Sequence, residues 1–225
     1  MKTLTDYFDR VYVINCAHRP DRKERVMAHL WDSGIVSNPS KVRLFNAIVG
    51  DWTTSPACWT SGQGAWGCLQ SHRRLIEDVM HERDDRYQPT LGNVLVLEDD
   101  VVFLDNALAD LNKFMDAVPE DWDQIYLGGQ HRQQHEETDN PAVIVGRSVN
   151  RTHAYALAAK AWQPFYRHIS HAPDYHGSNK HIDHQLELAH QRRDWKVYCP
   201  RVWICGQEEG ASNISGKTNP RQTWI

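Results

Sequence analysis

Short apolar runs alternate along this chain with stretches in which apolar residues return every three or four positions. Val11–Asn15 reads as a first strand, followed by a polar turn and a helix from about Asp21 to Trp31. Pro20 suits the start of that helix, where its missing N–H costs nothing. Val42–Ile48 reads as a second strand, and Asp51–Gly64, rich in Thr, Ser, Pro and Gly, as a long loop. Ala65–Arg83 places Trp66, Leu69, Leu75, Ile76, Val79 and Met80 at helical spacing, which predicts an amphipathic helix. Asn93–Phe103 contains a nearly continuous apolar run, the pattern of a strand buried on both faces. A helix near Asn106–Ala117 and a strand at Gln124–Leu127 follow, and the polar, aperiodic Gln130–Pro141 predicts an exposed loop. Ala154–Leu157 reads as a strand leading into a helix through Ile169. His181–Arg192 reads as a further helix and Val197–Val202 as a last strand before a Gly-, Ser- and Asn-rich tail. No internal repeat is present. The alternation predicts a single α/β domain, its sheet mostly parallel and flanked by helices on both faces.

Composition narrows the function classes. The 225 residues fit one domain with a sizeable core, and a formal net charge of −4 gives no footprint for broad nucleic-acid binding. No apolar run approaches the roughly 20 residues that cross a bilayer. Lys2 and Asp6 precede any apolar core, unlike a secretory leader. The five cysteines, Cys16, Cys58, Cys68, Cys199 and Cys205, form no CxxC pair, which predicts free thiols in a reducing compartment. The expected location is the cytoplasm, with at most a peripheral association with a membrane.

The candidate chemistry sits where the apolar run Val94–Leu97 ends in Glu98, Asp99 and Asp100. Open α/β sheets bind ligands at such strand ends. Three adjacent carboxylates repel one another, and a divalent cation held with a phosphate-bearing substrate would supply the missing charge. The plainer alternative is a strand-end turn whose acids face water and favour the next helix start.

Several segments together resemble glycosyltransferase family 25, the lipooligosaccharide-type sugar transferases that share motifs with collagen galactosyltransferases. Val11–Arg22 (VYVINCAHRPDR) is similar to the family's opening strand and Arg-x-Asp-Arg turn. Gly64–His72 (GAWGCLQSH) resembles its Gly-Cys-x-x-Ser-His helix start. VLVLEDDVVF resembles its Leu-Glu-Asp-Asp-Val strand, and Thr152–Ala161 its Ala-Tyr strand with the following helix. His181–His184 holds an Asp like the one found after it. Cys16-Ala17-His18 departs from the Leu and basic residues common in the family. The likeness runs from about Val11 to Ser212.

The resemblance implies a GT-A-like fold and metal-dependent transfer of a sugar from a nucleotide-sugar donor, a UDP-hexose, to an acceptor hydroxyl, usually with inversion and with Mn²⁺ or Mg²⁺. In those terms Asp100 and Asp99 would hold the metal. Asn15, Arg19, Arg22, Ser71, Glu98, Asp99, Gln207 and Ser212 would bind the donor, and Asp183 would be the base. Arg19 and Arg22 offer cations for phosphate oxygens, or form a solvated helix start. His72 is expected to be structural or supporting, and Cys68 a buried helix residue. Asp183 opens a helix after a Gly/Ser/Asn loop, where it either removes the acceptor's proton or complements the helix dipole. The tail around Gln207 and Ser212 either closes over the nucleotide or frays. Residues 1–130 would form the nucleotide-sugar and metal half, and residues 131–225 the acceptor half and closing tail.

Among nine tryptophans, Trp59 is the best placed to stack on a sugar or base. Arg132, Arg147, Arg151, Arg192 and Arg193 keep a nucleic-acid acceptor open beside a glycan or a protein hydroxyl. Two other classes compete: a metal-dependent nucleotide or phosphate hydrolase, and a non-catalytic carbohydrate-binding protein of the same fold.

Overall fold

Adjacent residues point to opposite sides of a strand, and the chain places apolar residues on both sides. A computed structural model describes residues 1–82, 90–170, 181–211 and 218–222. Within them, strands β1 (Arg10–Asn15), β2 (Val42–Asn46), β3 (Val94–Glu98), β4 (Val101–Phe103), β5 (Gln124–His131) and β6 (Glu136–Glu137) come first. They are followed by β7 (Val143–Val145), β8 (Val149–Leu157) and β9 (Val197–Pro200). Eight of these form one sheet in the order β2-β1-β3-β8-β5-β9-β7-β6. Six share one direction, while β7 and β8 run against them. The sheet is therefore mostly parallel, as the alternation implied. The reversed β8 at its centre follows from no periodicity in the sequence.

Helices α1 (Leu4–Tyr7), α2 (Pro20–Asp32) and α4 (Ala107–Met115) cover one face, and α3 (Gln63–His81), α5 (Trp162–Ser170) and α6 (Ile182–Arg192) the other. In β3, Leu95 and Leu97 pack with Leu30, Leu111 and Phe114 on the first face. Val94 and Val96 pack with Leu69, Ile76 and Phe165 on the second. A strand buried on both sides needs such an uninterrupted apolar run. Pro20 is the first residue of α2, whose inward stripe is Arg22, Val26 and Leu30. One member of that stripe carries a charge, so the fold must provide it with a partner.

Several boundaries differ from the sequence expectation. Asn93–Phe103 is two strands, β3 and β4, broken by a turn at Asp99-Asp100. The second strand stops at Asn46 because the chain leaves the sheet edge to lie on α3. Ser71 Oγ accepts from the Ile48 N–H at 2.8 Å. A Cβ on Gly50 would stand 1.8 Å from the Gln63 carbonyl oxygen, and one on Gly67 2.5 Å from that of Ile48, so only glycine allows this approach. The polar stretch 130–141 is not wholly a loop, for it finishes β5 and adds β6 against β7. β8 begins five residues before Ala154, at Val149, and β9 ends at Pro200. The helix expected to reach Arg83 is described to His81, and Arg83 lies outside the described residues.

Trp59 is corrected outright. It is 3% exposed, packs edge-on against Trp66 at 5.0 Å and donates to the Gly62 carbonyl, so it belongs to the core. Trp122 and Trp203 are also buried.

Past β9, β10 (Cys205–Gln207) pairs antiparallel with β4, setting Gln207 opposite Val101. β11 (Gly210–Ala211) and β12 (Thr218–Asn219) form a further ribbon.

Candidate active site

The C-terminal ends of β1, β2 and β3 point the same way, and a cavity of about 530 Å³ opens there. Its walls include Cys16, Arg22, Ile48, Cys68, His72, Arg151, Gln207 and all three acids of the β3 turn.

The three acids have different surroundings. Asp99 is 9% exposed and both its oxygens are engaged. Arg22 Nη1 lies 2.9 Å from Oδ1 and Asn15 Nδ2 2.7 Å from Oδ2. The inward charge of α2 and the middle acid of the turn thus neutralise each other. Neither is tolerated alone in the interior, so Arg22→Met should lower stability by about 3–5 kcal/mol by leaving Asp99 buried and unpaired. Denaturant unfolding would measure it. A loss under about 1 kcal/mol would mean that the pair does not hold the turn together.

Glu98 faces α3 and β8. Thr152 Oγ1 donates to its Oε1 at 2.6 Å, and His72 Nε2 is 3.3 Å from the same oxygen. Burial acts to raise the Glu98 pKa, but hydrogen bonds and charge from His72, with the Thr152 hydroxyl, outweigh it and hold the group below its usual range. His72 is itself buried, with Nδ1 2.9 Å from the Tyr155 hydroxyl.

Asp100 is the least compensated acid. Burial and the charges of Glu98 and Asp99 push its pKa up to about 7, against the weaker pull of Arg22 and Gln207. Arg22 is 3.9 Å away, and Gln207 Nε2 is 3.3 and 3.4 Å from the two oxygens. The Glu208 N–H donates to the Asp100 carbonyl at 2.7 Å, so the β4–β10 pairing lays the tail across the turn. An oxygen ligand poised this way fits a hard divalent cation. Asp99, whose oxygens meet Arg22 and Asn15, fits that role less well than the sequence expectation had it.

The remaining expected residues fall in varied places. Arg22, Ser71, Glu98, Asp99, Asp100 and Gln207 all reach the cavity, although Ser71 Oγ is spent on the Gly67 carbonyl and the Ile48 N–H. Asn15 is set behind Asp99. Arg19 is turned outward against Asp21, its Nε and Nη2 at 2.9 and 2.8 Å from that carboxylate. Asp183 opens α6 outside the cavity lining, with Oδ1 accepting from the His184 N–H, yet its charge is felt at Cys68 on the cavity wall. Ser212 lies outside the described residues. Burial first, then Glu98, Asp183 and Asp100, push the Cys68 thiol well above its ordinary range, which argues against a free nucleophile.

Sequence reasoning counted Arg151 only among the basic residues open to a nucleic-acid acceptor and left Thr152 and Tyr155 without roles. Arg151 sits at φ +82° and lines the cavity. A non-glycine residue in that region stores backbone strain and is a recognised mark of functional sites. The sequence signal was the polar run Asn150–His153 just ahead of the apolar Ala154–Leu157.

Among the described residues no helix is long and apolar enough to cross a membrane. The sequence model of Glycosyltransferase family 25 (LPS biosynthesis protein) matches residues 8–147. Human inactive glycosyltransferase 25 family member 3 is 33% identical over 168 residues, covering 67% of this chain and 27% of that protein. The procollagen lysyl hydroxylase and glycosyltransferase of Acanthamoeba polyphaga mimivirus is 31% identical over 150 residues, 60% of this chain and 17% of that one. Human procollagen galactosyltransferase 2 is 26% identical over 163 residues, 66% and 25% respectively. The chain thus spans 17–27% of the length of these relatives, one of them inactive by name. With the match to the family model running from β1 through β7 and including the acidic turn, the chain belongs to glycosyltransferase family 25.

Proposed function

We propose that this protein transfers a hexose from a nucleotide-sugar donor, a UDP-hexose, to an acceptor hydroxyl with inversion, in a GT-A-like site at the ends of β1, β2 and β3. The observation that carries the reading is Asp100, a half-buried acid that lines the cavity and whose pKa is raised to about 7 by burial first and then by the charges of Glu98 and Asp99. Mn²⁺ or Mg²⁺ at Asp100 would neutralise the diphosphate as the glycosidic bond breaks. Arg22 and Asn15 fix Asp99 and so hold the turn that aims Asp100 into the cavity. Arg151 supplies a fixed cation for phosphate oxygens, and Gln207 orients the Asp100 carboxylate from the tail side. Asp183, whose charge is felt at Cys68 on the cavity wall, takes the acceptor's proton. The acceptor is a glycan or another hydroxyl-bearing molecule, with modified nucleic acid the less favoured choice, and the reaction is cytoplasmic. Residues 1–130 carry the nucleotide-sugar and metal half, and residues 131–225 the acceptor half and the closing tail, from which Arg151 and Gln207 reach the donor side.

The test is a screen of nucleotide sugars with and without Mn²⁺, scored by nucleotide release and by donor binding. Release that requires the cation supports the reading. Donor binding without release would favour an inactive member, the alternative raised by the 33% identical relative.

Protons and cations compete for Asp100, so its pKa gives a direction. Mn²⁺ affinity should fall by about tenfold per pH unit below about 7 and level off above it. Calorimetric titration on both sides of neutrality checks this, and an affinity independent of pH would remove Asp100 from the cation site.

A further inference from the structure

We propose that Cys68, His72 and Glu98 form a second cation site in the cavity wall, of the zinc class and chemically distinct from the oxygen position at Asp100. Residues four apart on a helix share one face, so α3 presents Cys68 and His72 together, and β3 brings Glu98 to meet them. One ligand atom from each lies within 4.8 Å of the other two. The 3.3 Å between His72 Nε2 and Glu98 Oε1 is long for a charge-assisted hydrogen bond. It matches the edge of a tetrahedron, about 3.3–3.4 Å, whose ligands stand about 2.0–2.1 Å from a zinc ion.

The surrounding groups suit ligands more than a simple buried pair. Tyr155 lies 2.9 Å from His72 Nδ1, and its hydroxyl oxygen can accept a hydrogen bond from Nδ1–H, the tautomer that leaves a lone pair on Nε2. Thr152 holds Glu98 Oε1 at 2.6 Å. Partners of this kind orient metal-bound imidazoles and carboxylates, and here both come from the reversed strand β8. A thiolate, an imidazole and a carboxylate select zinc over magnesium or manganese. Three protein ligands leave a fourth position, and all three residues line the cavity, so it opens toward a bound molecule. That is the pattern of a site that engages an oxygen of its ligand rather than one that only staples a fold.

Cobalt(II) titration of the full chain tests the site without any assay of transfer, so its failure is separate from failure of the transferase reading. The wild type should show a thiolate-to-cobalt charge-transfer band with tetrahedral d–d absorption, both lost on adding Zn²⁺. Cys68→Ser should abolish the band, and Thr152→Val should weaken cobalt affinity about 10–100-fold. Asp100→Asn should leave the band in place. Circular dichroism would confirm that each variant folds. Absence of a thiolate band in the folded wild type, or its persistence in Cys68→Ser, overturns the proposal.

Discussion

Asp100→Asn is expected to abolish donor turnover, by about 10³-fold or more, without weakening the fold. The expected loss follows from replacing a carboxylate, a good ligand for a hard cation, with a neutral amide. Charge neutralisation by a bound cation is worth several kcal/mol at the transition state, and each 1.36 kcal/mol is about tenfold in rate. The stability arm follows from the raised pKa of about 7. A folded-state pKa above the unfolded value means that the stabilisation is fully present below about 4, is lost as pH rises to about 7, and is absent above, where the charge is fully formed. The amide removes that charge. The cation-free variant should therefore melt no lower than the parent above neutrality, and the difference should fade in acid. Turnover near the parent's level, or parent activity that survives excess chelator, would end the cation assignment.

The second large effect is expected from Asp183→Asn, with transfer falling by about 10²–10⁴, the range for loss of a general base. Donor affinity should stay the same, since the base acts on the acceptor's proton and not on the diphosphate. The position of Asp183 makes this a demanding test, because it stands outside the cavity lining and reaches Cys68 only through its field. A variant that loses donor affinity but keeps its saturated rate would make Asp183 a binding residue. A retained anomeric configuration in the product, read by NMR, would exclude single displacement altogether.

The β3 acids were legible because an apolar run that ends abruptly in carboxylates is a local pattern, confined to adjacent residues. The same holds for Pro20 and the start of α2. Strand direction is not local: β8 is buried on both faces and would be so whichever way it ran, so its reversal was hidden. The array of Tyr155, His72, Glu98 and Thr152 draws on three segments up to 83 residues apart. Glu98 was read with its neighbouring acids and His72 as a supporting residue, while Thr152 and Tyr155 read as ordinary strand. Arg22 and Arg19 show the limit from the other side. They share one motif, yet the α2 stripe turns Arg22 inward to Asp99, while Arg19 at the helix cap pairs with Asp21. Trp59 failed for a different reason: a loop with many small polar residues can still drop one large side chain into the core.

The pairing of β4 with β10 also sets an order of assembly. Asp100 and Gln207 are 107 residues apart in sequence, so a contact at the centre of the site carries one of the longest closures in the chain. Until β10 arrives, Val101, Val102 and Phe103 present an apolar strand edge, the kind of surface on which nascent chains stick to one another. His29 blunts that edge early, accepting from the Phe103 N–H at 2.7 Å out of α2, a helix made well before the tail. The sheet of β1, β2 and β3 can thus form while the chain is still being synthesised, whereas the wall around Asp100 waits for residues 205–208. In this topology the last strand pairing and the completed wall around Asp100 depend on the same long closure.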